Sequence, residues 1–185
     1  TPTPTPTPGP IYLPILIWHP CEVKQWYSDV VLVLDMSTSM WRPAESGSKT
    51  KLAATIEAAK YFVDLMQNLA PDEGAHHEQI AIAGFNARAW IEQPLTNDRA
   101  LVKAALDRLP TRMIQYTRLD LALGVGAEAT GGAEHRIENG KVIVLLTDGL
   151  PNQVPYAFDG TMETTVLTEA AAAKSAGNRI YTIAI

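Results

Sequence analysis

From Tyr27 onward, uninterrupted apolar runs alternate with stretches whose apolar residues recur every three or four positions. Val30–Leu34 (VVLVL) is continuous and β-branched, the pattern of a strand covered on both faces. Lys51–Leu69 sets Leu52, Ile56, Ala59, Val63 and Met66 on one stripe of an amphipathic helix. Gln79–Phe85 reads as a second strand, and Asn86-Ala87-Arg88 turns it into Ala89–Gln93, a hairpin whose second arm is an antiparallel edge strand. Asp98–Leu109 reads as a helix with Asp98 in its first turn and Pro110 at its close. Another helix runs from Arg118 to Ala129, and Lys141–Leu146 is a third buried strand. Glu163–Ala176 is an alanine-rich helix stopped by Gly177, and Arg179–Ile185 is the last strand. This alternation predicts an α/β three-layer sandwich on a Rossmann-like, mostly parallel sheet with one short antiparallel edge strand.

Residues before Tyr27 follow other rules. Residues 1–10, TPTPTPTPGP, cannot pack a core, because alternating proline removes amide donors and favours extended backbone. They read as a low-complexity, semi-rigid spacer of about 3 Å per residue. Such Thr/Pro stretches hold domains away from a cell envelope, which points to an extracellular or cell-surface address. Residue 1 is Thr, so no signal peptide is visible. Residues 11–27 form an apolar, extended linker; Ile11–Trp18 is interrupted by Pro14 and is too short to span a bilayer. The globular domain is then 28–185.

Composition narrows the classes. With 185 residues, 46% of them hydrophobic, the chain can bury one sizeable core. A net charge of −5 with both signs interspersed supplies no basic patch for nucleic acid. Cys21 is the single cysteine, which excludes an intrachain disulfide and a cysteine metal cluster.

The chemistry lies just past the strand ends, where ligands gather in sheets of this kind. Asp35-Met-Ser37-Thr-Ser39 follows the first strand, Thr147-Asp148-Gly149 follows the Lys141–Leu146 strand, and Thr117 opens a helix between them. Two carboxylates and three hydroxyls form an all-oxygen set, suited to Mg²⁺ or Mn²⁺ and not to zinc. Two aspartates balance a divalent ion while neutral hydroxyls leave it Lewis-acidic, so it favours an incoming carboxylate. Thr117 has a structural alternative as a capping box with Asp120, and Thr111 and Thr130 are alternative ligands. Asp148-Gly149 could equally form a hairpin turn. Trp41 and Arg42 are placed to rim the site, Tyr156 and Phe158 to contact a partner, and His76 and His77 read as a solvated loop.

The three elements in this order resemble the von Willebrand factor type A domain with an intact metal-ion-dependent adhesion site. The family pattern is Asp-x-Ser-x-Ser after the first strand, a distal Thr before a helix, and an Asp in a Thr-Asp-Gly turn. Here these are Asp35, Ser37 and Ser39; Thr117, followed by Ala122-Leu123; and Asp148 within Leu146-Thr-Asp-Gly149. The resemblance implies a central Val30–Leu34 strand beside Lys141–Leu146. It also implies Mg²⁺ bound directly by the serines, with Thr117 and the aspartates acting partly through water. The family continues with a further helix and strand, so the domain reads as truncated at its C-terminus.

The expected function is a non-enzymatic, divalent-metal-dependent protein-binding module that captures a partner's Asp or Glu. Two rivals remain. A Mg²⁺-dependent phosphotransferase would carry a second aspartate where Ser37 stands. An intracellular assembly subunit working beside an ATPase would not need the Thr/Pro spacer.

Overall fold

A computed structural model describes residues 27–44, 48–66, 77–149, 151–152 and 161–185, without the side chains of 161–164. The spacer 1–10, most of the 11–27 linker including Cys21, and His76, Tyr156 and Phe158 lie outside the described residues.

Among the described residues five strands form one sheet in the order β3-β2-β1-β4-β5. They are β1 (Ser28–Asp35), β2 (Gln79–Phe85), β3 (Ala89–Thr96), β4 (Gly140–Thr147) and β5 (Asn178–Ala184). β1 is central, pairing in parallel with β2 on one side and β4 on the other. β4 pairs in parallel with β5, and β3 is antiparallel to β2 at the opposite edge. Pro94 lies in that edge strand, where a missing amide donor is tolerated. The predicted α/β sandwich is the observed one.

Among the described residues four α-helices cover the sheet: α1 (Lys51–Leu65), α2 (Arg99–Arg108), α3 (Leu119–Thr130) and α4 (Thr161–Ser175). The two-residue period of the strands divides the core. Val30, Leu32 and Leu34 of β1 with Ile80 and Ile82 of β2 pack against Leu52, Ala59 and Val63 of α1 and Val102, Ala105 and Leu106 of α2. Val31 and Val33 with Ala81, Ala83 and Phe85 face Ala122, Val125 and Ala129 of α3 and Ala173 of α4. Both faces of β1 are therefore buried, which accounts for its unbroken apolar run.

Local signals set the helix ends. Thr50 Oγ1 accepts Ala53 N–H at 3.2 Å at the start of α1. Asp98 caps α2 from outside the helix, accepting Ala100 N–H at 2.8 Å and Leu101 N–H at 3.3 Å. Gly177 follows α4 with φ of 87°, a left-handed value that glycine adopts without strain. α1 ends at Leu65, earlier than its apolar stripe suggests, because Met66 turns to extended backbone. Pro110 sits inside a 3₁₀ turn, Leu109–Arg112, that continues α2. A tighter turn accommodates proline at its start, where its missing N–H costs nothing.

At the amino-terminal end of β1, Asp29 is fully buried. It accepts His135 Nδ1 at 2.7 Å, Arg136 N–H at 3.1 Å and Asn139 Nδ2 at 2.7 Å. With its amide turned to donate, Gln79 adds a fourth contact at 3.2 Å. This carboxylate pins the loop between α3 and β4 under the sheet. His77 is not a solvated loop residue: it is 9% exposed, and its carbonyl accepts Asn139 Nδ2 at 3.0 Å. β2 begins two residues later, so the chain is tied to the α3–β4 loop just before it enters the sheet.

Close packing makes a clear test at Gly84. A Cβ there would lie 2.5 Å from a Trp90 ring carbon and 2.9 Å from Leu109 Cδ2. Gly84→Ala should therefore destabilise the fold by about 1–3 kcal/mol, measured by urea unfolding. It should also perturb tryptophan fluorescence in the folded state, because Trp90 must move.

Candidate metal centre

β1 has its two neighbours reached by crossovers on opposite faces, α1 on one and α3 on the other. The strand order therefore reverses at its carboxyl end, and a crevice opens between the loops after β1 and β4. The candidate residues sit there.

Asp35 ends β1 and is fully buried. Its Oδ1 accepts Ser37 N–H at 2.8 Å and its Oδ2 accepts the Thr147 hydroxyl at 2.7 Å. Among the described residues it has no ion pair. Burial pushes its carboxyl above the ordinary value of 3.8; hydrogen bonds from Ser37 and Thr147 act in the opposite sense, and the Asp148 charge adds to the rise.

The hydroxyls form a chain. Ser37 Oγ lies 2.8 Å from Ser39 Oγ, and Ser39 Oγ donates to Asp148 Oδ1 at 2.6 Å. The 3₁₀ turn Thr38–Trp41 produces this geometry, reversing the backbone so that both serines remain on one side. Lys51 Nζ donates to the other Asp148 oxygen at 3.1 Å. A cavity of about 390 Å³ opens over Ser37, Ser39 and Thr117, bounded also by Thr38, Arg42, Gln115, Tyr116 and Asn152.

Backbone contacts hold the Thr117 loop in place. Met36 N–H donates to Phe85 O at 2.7 Å, and Ile114 N–H to Met36 O at 3.2 Å, so the segment before Thr117 runs beside the serine loop. Tyr116 has φ of 81°, a left-handed conformation that strains a bulky side chain. That residue immediately precedes Thr117, whose side chain is buried at the cavity wall. Asn152 secures the threonine from the third loop: its Oδ1 accepts Thr117 N–H at 2.9 Å and its own N–H donates to Thr117 O at 3.3 Å.

All five predicted residues therefore belong to one cluster, linked by hydrogen bonds or by a shared cavity. The alternatives fall elsewhere. Thr111 is exposed and donates to Arg108 O at 2.7 Å. Thr130 is at the far end of α3, where it donates to Asn178 Oδ1 at 2.6 Å. The capping box does not form: Arg118 is the α3 cap residue, and Asp120 accepts its guanidinium at 2.8 and 2.5 Å. Partial burial acts to raise the Asp120 carboxyl, but the Arg118 hydrogen bonds and charge prevail and hold it below the usual carboxylate range. Asp148 is not in a hairpin, since both neighbours of β4 are parallel. Arg42 borders the cavity, whereas Trp41 is exposed along a separate groove over Leu52, Ile56 and Pro110.

Sequence reasoning missed Asn86. It is 1% exposed; its Nδ2 donates to Arg112 O at 2.9 Å, and its carbonyl accepts Arg118 N–H at 3.0 Å. One residue in the β2–β3 turn thus holds both ends of the Thr117 segment. Its position in the turn was legible from the sequence, but its partners were not.

A three-layer α/β sheet with oxygen donors gathered at its switch point defines the class. The family model of the von Willebrand factor type A domain matches residues 29–185, and the chain belongs to that family. A UPF0353 protein of Mycolicibacterium paratuberculosis is 34% identical over 157 residues, 83% of this chain but 43% of that protein. The chain thus spans less than half the length of this relative. Among solved structures, proximal thread matrix protein 1 from the mussel byssus, with a zinc-occupied MIDAS motif, superposes with a TM-score of 0.70 at 19% identity. That match covers 86% of this chain and 38% of the mussel protein. The pilus adhesin SpaC of Lactobacillus rhamnosus GG gives 0.65 at 21% identity, over 87% of this chain and 25% of the adhesin. Both likenesses establish the fold.

Two outcomes test this geometry. Asp35 has a folded-state pKa above 3.8, so the native chain holds the proton more tightly than the unfolded one. Its contribution to metal-free stability is full below pH 3.8 and is lost as pH rises through the raised value. Asp35→Asn, which cannot ionise, should therefore melt above the wild type at pH 7 without metal. Calorimetric scans should show that gap closing in acid. Asn86→Ala should destabilise by about 2 kcal/mol through the buried groups it leaves unpaired, read by chemical unfolding.

Proposed function

We propose that the chain is a divalent-cation-dependent protein-binding module of the adhesion type, part of an exported or cell-surface protein. Asp35, Ser37, Ser39, Thr117 and Asp148 hold Mg²⁺, or Mn²⁺, and the ion captures an Asp or Glu carboxylate of a protein partner. The observation that carries this reading is the meeting of oxygen side chains from three separate loops at one crevice.

The donor set fits such an ion. Asp35 is a buried carboxylate hydrogen-bonded only to dipoles, and burial of a charge without a counter-ion is costly. Neutral hydroxyls line the cavity beside it, and hard oxygens at this charge suit Mg²⁺ better than zinc. Among the described residues no group of three or more His, Cys, Asp or Glu is placed to hold a metal, so a histidine- or cysteine-type zinc centre has no support there. When bound, the ion would supply Lewis acidity at the crevice mouth. The residues around it position the oxygens: Thr147 and Ser37 N–H fix the Asp35 carboxylate, and Asp148 accepts the hydrogen bond of the Ser39 hydroxyl.

The same chemistry supports a non-enzymatic role. Ser37 occupies the place where a phosphotransferase of the rival type carries its proton-handling aspartate, and its hydroxyl is engaged with Ser39. The Thr/Pro spacer supports a surface address. Among the described residues no helix is long and apolar enough to cross a membrane.

Isothermal titration with Mg²⁺ tests the reading. The wild-type chain should bind the ion, and Asp35→Ala should lose at least tenfold in affinity. Equal binding by the two, or none by either, ends the metal claim.

A further inference from the structure

Lys51 is the first residue of α1, and that helix has no acid in its first turn. A lysine there opposes the helix macrodipole, whose positive end favours anions. Yet its side chain is drawn in to 20% exposure against Asp148, whose side chain is 3% exposed. The ion pairs Lys49–Glu57, Lys60–Asp107 and Lys103–Asp64 all involve exposed acids. Of these lysines, Lys51 is the one that spends its charge on a buried carboxylate.

Its ammonium also donates to the Ile185 main-chain oxygen at 3.2 Å, and Ile185 N–H donates to Thr147 O at 3.0 Å. The start of α1, the turn after β4 and the end of β5 therefore meet around one cation.

We infer that Lys51 is a resident counter-cation of the candidate metal centre, which limits the affinity for the divalent ion and keeps the loaded site positive enough to select an anionic partner. This inference rests on the metal reading above. With Nζ holding Oδ2, Asp148 presents Oδ1 to the Ser39 hydroxyl hydrogen; Ser37 then donates to Ser39, which keeps one Ser39 lone pair and both Ser37 lone pairs for an ion. Without an ion, the ammonium offsets the charge of Asp148, which the Ser39–Ser37 chain links to the loop that holds Asp35. With an ion present, two carboxylates alone would cancel its charge. The ammonium on one of them leaves an excess of one positive charge, and that excess favours an incoming carboxylate over a neutral donor.

The test compares wild type, Lys51→Met and Lys51→Arg, each as the full chain. Removing a cation beside a divalent ion should tighten Mg²⁺ binding roughly tenfold, as read by titration calorimetry. Lys51→Met should also melt lower than the wild type without metal, and the deficit should close at saturating Mg²⁺. Lys51→Arg should restore both behaviours. A lysine with a purely structural role predicts the opposite pattern: weaker Mg²⁺ binding and a melting deficit that persists with the ion bound. That pattern, or equal affinity in wild type and Lys51→Met, overturns the inference while the metal reading stands. A wild-type chain that takes up no Mg²⁺ overturns both. Lys51→Gln, which keeps donors without the charge, carries the same expectations should Lys51→Met fail to fold.

Discussion

A carboxylate placed at the buried end of the central strand governs the arrangement around it. Asp35 is enclosed because β1 is covered on both faces and flanked on both sides. Moving a charge out of water is costly unless hydrogen bonds or opposite charge compensate. The backbone of the serine loop and the Thr147 hydroxyl supply part of that compensation. The loops after β1 and β4 meet at the carboxylate those dipoles only partly compensate.

The same strand carries its own control. Asp29, at the other end of β1, is equally buried but receives donors from His135, Arg136 and Asn139, with Gln79 in reach. Its role is to fasten a loop beneath the sheet. Asp35 receives fewer donors and borders a group of hydroxyls. Two aspartates six positions apart on one strand thus serve different ends. What separates them is the company each keeps: more donors around the carboxylate at the closed end, and fewer at the end where strand order reverses.

The crevice is held in shape by residues outside the five-residue oxygen cluster. Asn86 grips the Thr117 segment at both ends, and Asn152 holds both backbone groups of Thr117. Tyr116 accepts left-handed backbone just before the threonine. Strain and polar clamping are tolerated where the surrounding fold over-determines the geometry. The loops can then present oxygens without collapsing onto one another, and Lys51 moderates the charge they gather.

The residue pattern alone determined the alternation of elements, because burial on two faces demands unbroken apolar runs and burial on one demands a helical stripe. It also marked Asp35, Ser37, Ser39, Thr117 and Asp148, since each falls just past a strand or just before a helix. Tertiary structure decided the rest. Which of three threonines borders the cavity, and that Lys51 reaches Asp148 across about a hundred residues of chain, depend on contacts between distant segments. Local periodicity carries no information about such pairs; they exist only once the sheet has brought separate strand ends to one place.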